Sequence, residues 1–279
     1  SPATAHPSPP RNPGTIVCAV ENSRRAAAFF DLDRTLISGS SAFSFGVTAW
    51  RQKLMPTRDL MRDAMGAVVF RLVGSTDDGS EEVRDRILSA VAGVEVAALE
   101  EVGHAMIPRL VSRVRPESKA LVKMHQDAGR DTYIVSASPQ EIVDRLAGAL
   151  GMTGGIGTQG EIIDGRYTGG LTGHFVYGEG KALAMTELAA TKGYDLSLCY
   201  SYSDSISDLP MMKLVGHPVA VNPDGDLGSH ARKRGWPIVI FARTAKRVVA
   251  GTSAATGAVA AATATYFLGR RHGRMSVGR

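Results

Sequence analysis

The 279-residue sequence predicts an α/β fold: a parallel β-sheet with helices on both faces, interrupted after its first strand by an inserted α-helical cap. Three observations carry that expectation. Five short runs, AAAFF, TYIVS, LCYSY, PVAV and PIVIF, are almost continuously apolar or aromatic and are bounded by turn residues, as strands covered on both faces must be. Helical patterns separate most of them, the alternation that builds a parallel sheet. Between the first run and the second, residues 42–128 hold helical spacing and no convincing strand.

Taken in order, residues 1–25 begin SPATAHPSPPRNPG, carry five of the 13 prolines and show no apolar periodicity, which predicts a disordered leader without the apolar centre of a secretory signal. AAAFF is then the first strand. The segments 57–74, 80–93 and 95–114 have helical spacing, with Gly74 and Gly93 as stops, and 116–129 leads back to the sheet. After TYIVS, Ser138 is expected to cap a helix, with Pro139 at its first position and Glu141 completing a capping box. Further helices over 180–193 and 208–216 end at glycines. Asp164-Gly165, between two short extended runs, predicts a hairpin. The expected division is a Rossmann-like core over 26–41 and 129–241, a helical cap over 42–128 and a basic tail over 242–279. An insert after the first strand overhangs the carboxyl ends of the strands, where open α/β sheets bind ligands.

Composition narrows the partners. The net charge is +5, yet seven of the 32 bases and none of the 27 acids fall in 242–279, so the body holds 25 bases against 27 acids. A mildly acidic body argues against nucleic acid and leaves the tail as the place for any anionic partner. Within that tail, residues 248–268 are uncharged and about long enough to span a bilayer core of ~30 Å at ~1.5 Å per residue. They are mostly alanine, glycine and threonine, so insertion is marginal; membrane contact, a surface helix and a mobile tail are the alternatives. Cys18 and Cys199 lie far apart, which predicts no disulfide framework and a reducing, cytoplasmic compartment. Nothing in the residues sets an oligomeric state.

The chemistry concentrates at the strand ends. Asp31 and Asp33 terminate the first apolar run, and two carboxylates so close resist burial unless something compensates them. Residues two apart in an extended segment point to one side, so both can face one ligand. Ser136 closes TYIVS just before a helix start, a place that favours an anion. Lys181 follows a glycine-containing loop at another helix start. Asp204 and Asp208, four apart, can share one helix face. A hard dication accounts for such a cluster, because Mg²⁺ takes oxygen ligands, water and a phosphate oxygen in an octahedron.

The motifs DLDRT, IVSAS, the lysine of GEGK and YSDSISDLPMM occur in that order in matching strand contexts, followed by GHPVAVNPDGDLGSHARKRGWPIVIF. Over about residues 26–241 the sequence resembles the haloacid dehalogenase (HAD) superfamily, in its phosphoserine-phosphatase-like branch, subfamily IB. The resemblance implies a Mg²⁺-dependent phosphomonoester hydrolase that acts on a small phosphorylated metabolite through an aspartyl-phosphate. Asp31 would be the nucleophile and Asp33 the general acid, then base. Asp31 and Asp204 would bind Mg²⁺ through their side chains and Asp33 through its backbone carbonyl, with Thr35 and Asp208 in support. Ser136 and Lys181 would hold the phosphoryl oxygens. An aspartate at position 33 resembles phosphatases and phosphomutases, whereas ATPases of the superfamily carry threonine there and dehalogenases tyrosine. A phosphotransferase or phosphomutase with the same intermediate is the near alternative; a noncatalytic, membrane-tethered phospholigand-binding module is the distant one. Phosphoserine phosphatases carry a glutamate nine residues after the nucleophile, where this chain has Ser40, which puts phosphoserine itself in doubt. Other residues have simpler readings: His104 and His125 as surface or packing residues, Cys199 as an inert core thiol, Met211 and Met212 as core filler, Arg62 and Arg71 as a solvated cap face.

Overall fold

The structure is a computed structural model that describes residues 25–51, 84–85, 88–89 and 91–241. The expected leader up to residue 24 with Cys18, the cap segment 57–74 with Arg62 and Arg71, and the tail 242–279 with its apolar stretch lie outside the described residues. In chain order the elements are β1 (Ala27–Asp31), α1 (Ser41–Arg51), α2 (Val96–Ser112), α3 (Pro116–Asp127), β2 (Asp131–Pro139), α4 (Gln140–Ala149) and β3 (Gly154–Thr158). Then follow β4 (Gly160–Ile163), β5 (Arg166–Leu171), α5 (Glu179–Lys192), β6 (Tyr200–Ser203), α6 (Leu209–Leu214), β7 (His217–Val221), α7 (Gly225–Arg234) and β8 (Ile238–Val239).

Six strands form one sheet in the order β3-β2-β1-β6-β7-β8, and every neighbouring pair is parallel. β1 lies in the interior, and all five of its residues are buried, which is why its sequence is an unbroken apolar run. Alternate residues serve opposite faces. Ala28 and Phe30 join Leu32, Ile134, Leu146 and Tyr202 in one core, to which the helices add Met106, Leu110 and Val122. Ala27 and Phe29 join Tyr133, Met185, Met211, Met212 and Leu227 in the other. Phe30 stacks on Tyr202 with ring centroids 4.5 Å apart, and burying a side chain of this size stabilises the fold by ~1.5–3 kcal/mol. Met211 and Met212 are therefore core residues, as expected, and Cys199 is a fully buried free thiol that accepts from the Ala27 N–H.

The chain steps outward from β1 through β2 to β3, then restarts beside β1 with β6 and runs the other way. That reversal opens a crevice at the carboxyl ends of β1, β2 and β6, the place where open sheets take ligands. The hairpin β4–β5 forms as expected, turning on Asp164 and Gly165, both with positive φ. Its outer strand bonds to the inserted segment: Tyr167 N–H to Val94 O at 3.0 Å and Gly93 N–H to Tyr167 O at 2.7 Å. Among the described residues no helix is long and apolar enough to cross a membrane.

One strand lies outside the five apolar runs, and three expectations need correction. The segment GGIGT forms β3. Its glycines admit α4, since a Cβ at Gly157 would lie 2.7 Å from Gln140 Cα and one at Gly155 would collide with Val143. Ser138 does not cap α4, whose N-cap is Pro139 with no side-chain bond; Ser138 belongs to β2, and Glu141 accepts from the Tyr167 hydroxyl instead. Asp204 and Asp208 do not share a helix face. Asp204 stands just beyond β6, and Asp208 ends a 3₁₀ turn at the start of α6. Residues 116–127, placed in the cap by the sequence division, form α3, whose Val122 and His125 pack against the sheet.

Candidate active site

β1 carries Asp31 to the crevice and ends there. Leu32 turns back into the core, and a tight turn follows in which the Leu36 and Ile37 N–H groups both donate to Leu32 O. Arg34 adopts a left-handed backbone with φ 62 in this turn, an uncommon conformation for a residue other than glycine. The consequence is that Asp31, Asp33 and Thr35 all stay at the strand's mouth.

Asp31 is 7% exposed and its Oδ1 accepts from Lys181 Nζ at 2.5 Å. The same ammonium donates to Asp208 at 2.9 Å, and the Ser203 hydroxyl donates to Asp208 at 2.6 Å. Lys181 reaches this point from the first turn of α5. Burial alone would lower its pKa, but Asp208 and Asp31 outweigh that and hold it well above the usual lysine range, so it stays protonated. Asp204 accepts from Arg34 Nε at 2.8 Å and from the Thr35 hydroxyl at 3.4 Å. Its loop is tied down from behind, where Asp224 N–H donates to Asp204 O and Asp224 Oδ2 accepts from Ile206 N–H.

Charge in this cluster is unbalanced. Asp31, Asp204 and Asp208 are all buried, against one buried ammonium and an Arg34 that is nearly half exposed. Burial pushes the Asp31 carboxyl well above its ordinary value; Lys181 opposes the shift, while Asp208 and Asp204 reinforce it. Asp204 is pushed up to about 7, chiefly by burial, with Arg34 opposing and Asp208 adding to it. The site is short of positive charge, the electrostatic condition that a cation would relieve.

Asp33 and Ser136 belong to a second, adjoining arrangement. Asp33 Oδ1 accepts from the Ser41 N–H at 2.7 Å, and burial raises its pKa against that bond. Ser136 lies one residue beyond Val135, the residue that pairs with Asp31. Its hydroxyl donates to Ser138 Oγ at 3.2 Å, and Ser138 Oγ meets Ser41 Oγ, also at 3.2 Å. A chain of three serines therefore links Ser136 to the residue that holds Asp33. Sequence reasoning missed Ser41, Ser138, Ser203, Arg34 and Asp224 as members of the site. Only Asp224 carried a usable signal, since Asp-Gly before a polar helix is a capping pattern, and its Oδ1 does accept from Leu227 N–H.

A parallel sheet with an acid-rich, lysine-bearing site at its switch point defines an α/β enzyme whose chemistry sits on strand ends. The chain belongs to the haloacid dehalogenase-like hydrolase family, whose family model matches residues 28–213. It is 40% identical over 275 residues to a probable phosphatase of Mycobacterium tuberculosis, covering 94% of each chain. It is 36% identical over 271 residues to a phosphoserine phosphatase of the same organism, covering 94% of this chain and 88% of that one. A crystal structure of a Bordetella pertussis protein of unknown function superposes with a TM-score of 0.69 at 26% identity, over 78% of this chain and 99% of that one.

Proposed function

We propose that this chain is a Mg²⁺-dependent phosphomonoester hydrolase of the phosphoserine-phosphatase-like kind, working through an aspartyl-phosphate on Asp31. The observation that carries the reading is the buried contact of Asp31 Oδ1 with Lys181 Nζ at the sheet's switch point. Lys181 fixes the carboxylate's orientation and offers the ammonium that a phosphoryl oxygen needs. Asp31 attacks phosphorus, an O–P bond forms, and the ester O–P bond breaks. Asp33, whose raised pKa suits a proton carrier, gives its proton to the departing alkoxide. It then takes a proton from water as that water attacks the phosphoryl group, releasing phosphate and restoring Asp31. Ser136, with its hydroxyl in the serine chain, is positioned to exchange that bond for one to a phosphoryl oxygen.

The residues fit a divalent metal. Among the described residues no three His, Cys, Asp or Glu side chains form a ready metal cluster. The donor set here is instead two carboxylates, Asp31 and Asp204, and the Asp33 carbonyl, all oxygen, in a place short of positive charge. Bound there, Mg²⁺ would supply charge neutralisation for the transferring phosphoryl group. Asp204 would have to exchange its Arg34 contact for the metal.

The substrate is a small phosphorylated metabolite. Ser40 does structural work in this chain: its hydroxyl accepts from Phe43 N–H and its carbonyl from Ser44 N–H, so it caps α1. A substrate ammonium finds no carboxylate at that position, which argues for a metabolite other than phosphoserine. Cys199, buried and free, suits a reducing cytoplasmic setting. Turnover of an aryl phosphate tests the reaction. It requires Mg²⁺, stops with a chelator and is lost in Asp31→Asn; activity that survives both treatments would sink the proposal. A panel of phosphorylated metabolites then tests the substrate, with phosphoserine expected not to lead.

A further inference from the structure

We propose that a groove at the amino-terminal ends of β6, β7 and β8, at the opposite end of the sheet from Asp31, is a second binding site, for a small organic anion that carries a flat ring. The groove encloses about 580 Å³. Pockets for small organic molecules run from ~300 to ~1,000 Å³.

Its walls offer two kinds of surface. Tyr200 opens β6 and stacks on His217 with ring centroids 4.5 Å apart and planes 21° from parallel. Trp236, in the turn before β8, meets His230 edge-on at 5.1 Å. Tyr200, His217, His230 and Trp236 all line the groove. Lys213, in the last turn of α6, and Arg234, at the end of α7, supply the charge. Both are exposed, and neither side chain has a hydrogen bond or ion pair among the described residues. No aspartate or glutamate lines the groove.

His230 Nε2 is buried in the structure and has no hydrogen-bond partner. A buried polar nitrogen left unanswered costs free energy. Two unpaired cations with no acid among the lining residues call for an anion. The ring-bearing walls suit a flat ring, which gains apolar burial there. None of these residues takes part in the strand-end site, so occupancy of one does not require occupancy of the other.

The test is calorimetric titration of the full chain with naphthalene-2-carboxylate, with the neutral naphthalene-2-carboxamide and with inorganic phosphate. Saturating orthovanadate keeps the strand-end site filled throughout. The carboxylate is expected to bind one site at least about tenfold more tightly than either control. Lys213→Ala/Arg234→Ala should weaken it by about tenfold or more, and Trp236→Leu should weaken the carboxylate while leaving the phosphate result unchanged. Both variants are checked for an unaltered melting temperature, since two of these side chains are solvent-exposed and the third only half-buried. Equal binding of carboxamide or phosphate, undiminished binding by the double variant, or no binding of the carboxylate at millimolar concentration would each overturn the proposal.

Discussion

Asp31 and Asp131 lie on neighbouring strands of one sheet, at opposite ends, and the fold treats them differently. Asp131 opens β2; its Oδ2 accepts from Arg25 Nη2 and from the Tyr194 hydroxyl, each at 2.6 Å, and its Oδ1 from the Thr153 hydroxyl at 3.3 Å. Tyr194 is in turn bonded to the Tyr133 hydroxyl at 2.9 Å. Asp31 closes β1 and shares a single ammonium with Asp208. One carboxylate is fully answered by side chains around it and fastens the start of the sheet. The other belongs to a buried group with more negative than positive charge, which the fold tolerates and a bound cation and phosphoryl group would balance.

Substitution separates the two roles. Asp31→Asn should remove turnover by roughly four orders of magnitude while leaving the melting temperature in metal-free buffer equal or higher, since it relieves excess charge and Lys181 keeps Asp208. Activity assays and calorimetry on the same preparation check both halves; a large loss of stability would mean that the charges were already balanced. Lys181→Met should cost ~10²–10³ in turnover and ~3–5 kcal/mol in stability, because it strands two buried carboxylates. Added Mg²⁺ should restore part of that stability, read as a rise in melting temperature larger than in wild type.

A third group, between the two ends, sharpens the contrast through pH. His125 is fully buried, its Nε2 lies 2.7 Å from the Tyr202 hydroxyl, and burial lowers its pKa from 6.5 to about 4. Between those values the unfolded chain takes up a proton that the folded chain refuses. Its contribution to stability is complete above pH 6.5 and is lost as pH falls toward 4, at up to about 1.4 kcal/mol per unit. Asp204, raised to about 7, works in the opposite sense, so the measurement is the difference in denaturant midpoint slope between wild type and His125→Gln over this range. The smallest effect belongs to Asp131→Asn, which should lower stability by ~1–3 kcal/mol in urea unfolding and leave turnover within about threefold of wild type.

Much of this arrangement is legible in the amino-acid sequence. Continuous apolar runs mark β1, β2, β6 and β7 because parallel strands are buried on both faces, and Asp31 announces itself as a charge where such a run ends. The clustering of Asp31, Lys181, Asp204 and Asp208 follows from their places at strand and helix ends, although Lys181 is 150 residues from Asp31 in sequence. What fails has local causes. β3 is built of glycines that admit α4, so its signature is the absence of side chains. Ser138 looks like a cap because capping patterns record residue type and offset, while its actual partners, Ser136 and Ser41, depend on how β2 meets α1. The spacing of Asp204 and Asp208 suggests a helix face, yet the 3₁₀ turn between them directs both into the crevice.

The most direct test follows phosphorus itself. The full chain is mixed with Mg²⁺ and an isotopically labelled aryl phosphate, quenched in acid within milliseconds, and mapped by peptide mass spectrometry. Label on the peptide bearing Asp31, absent in Asp31→Asn, is the expected outcome. Label on a different residue, or steady turnover with no protein-bound phosphoryl group at any quench time, would show that the carboxylate at the end of β1 is not the group that attacks.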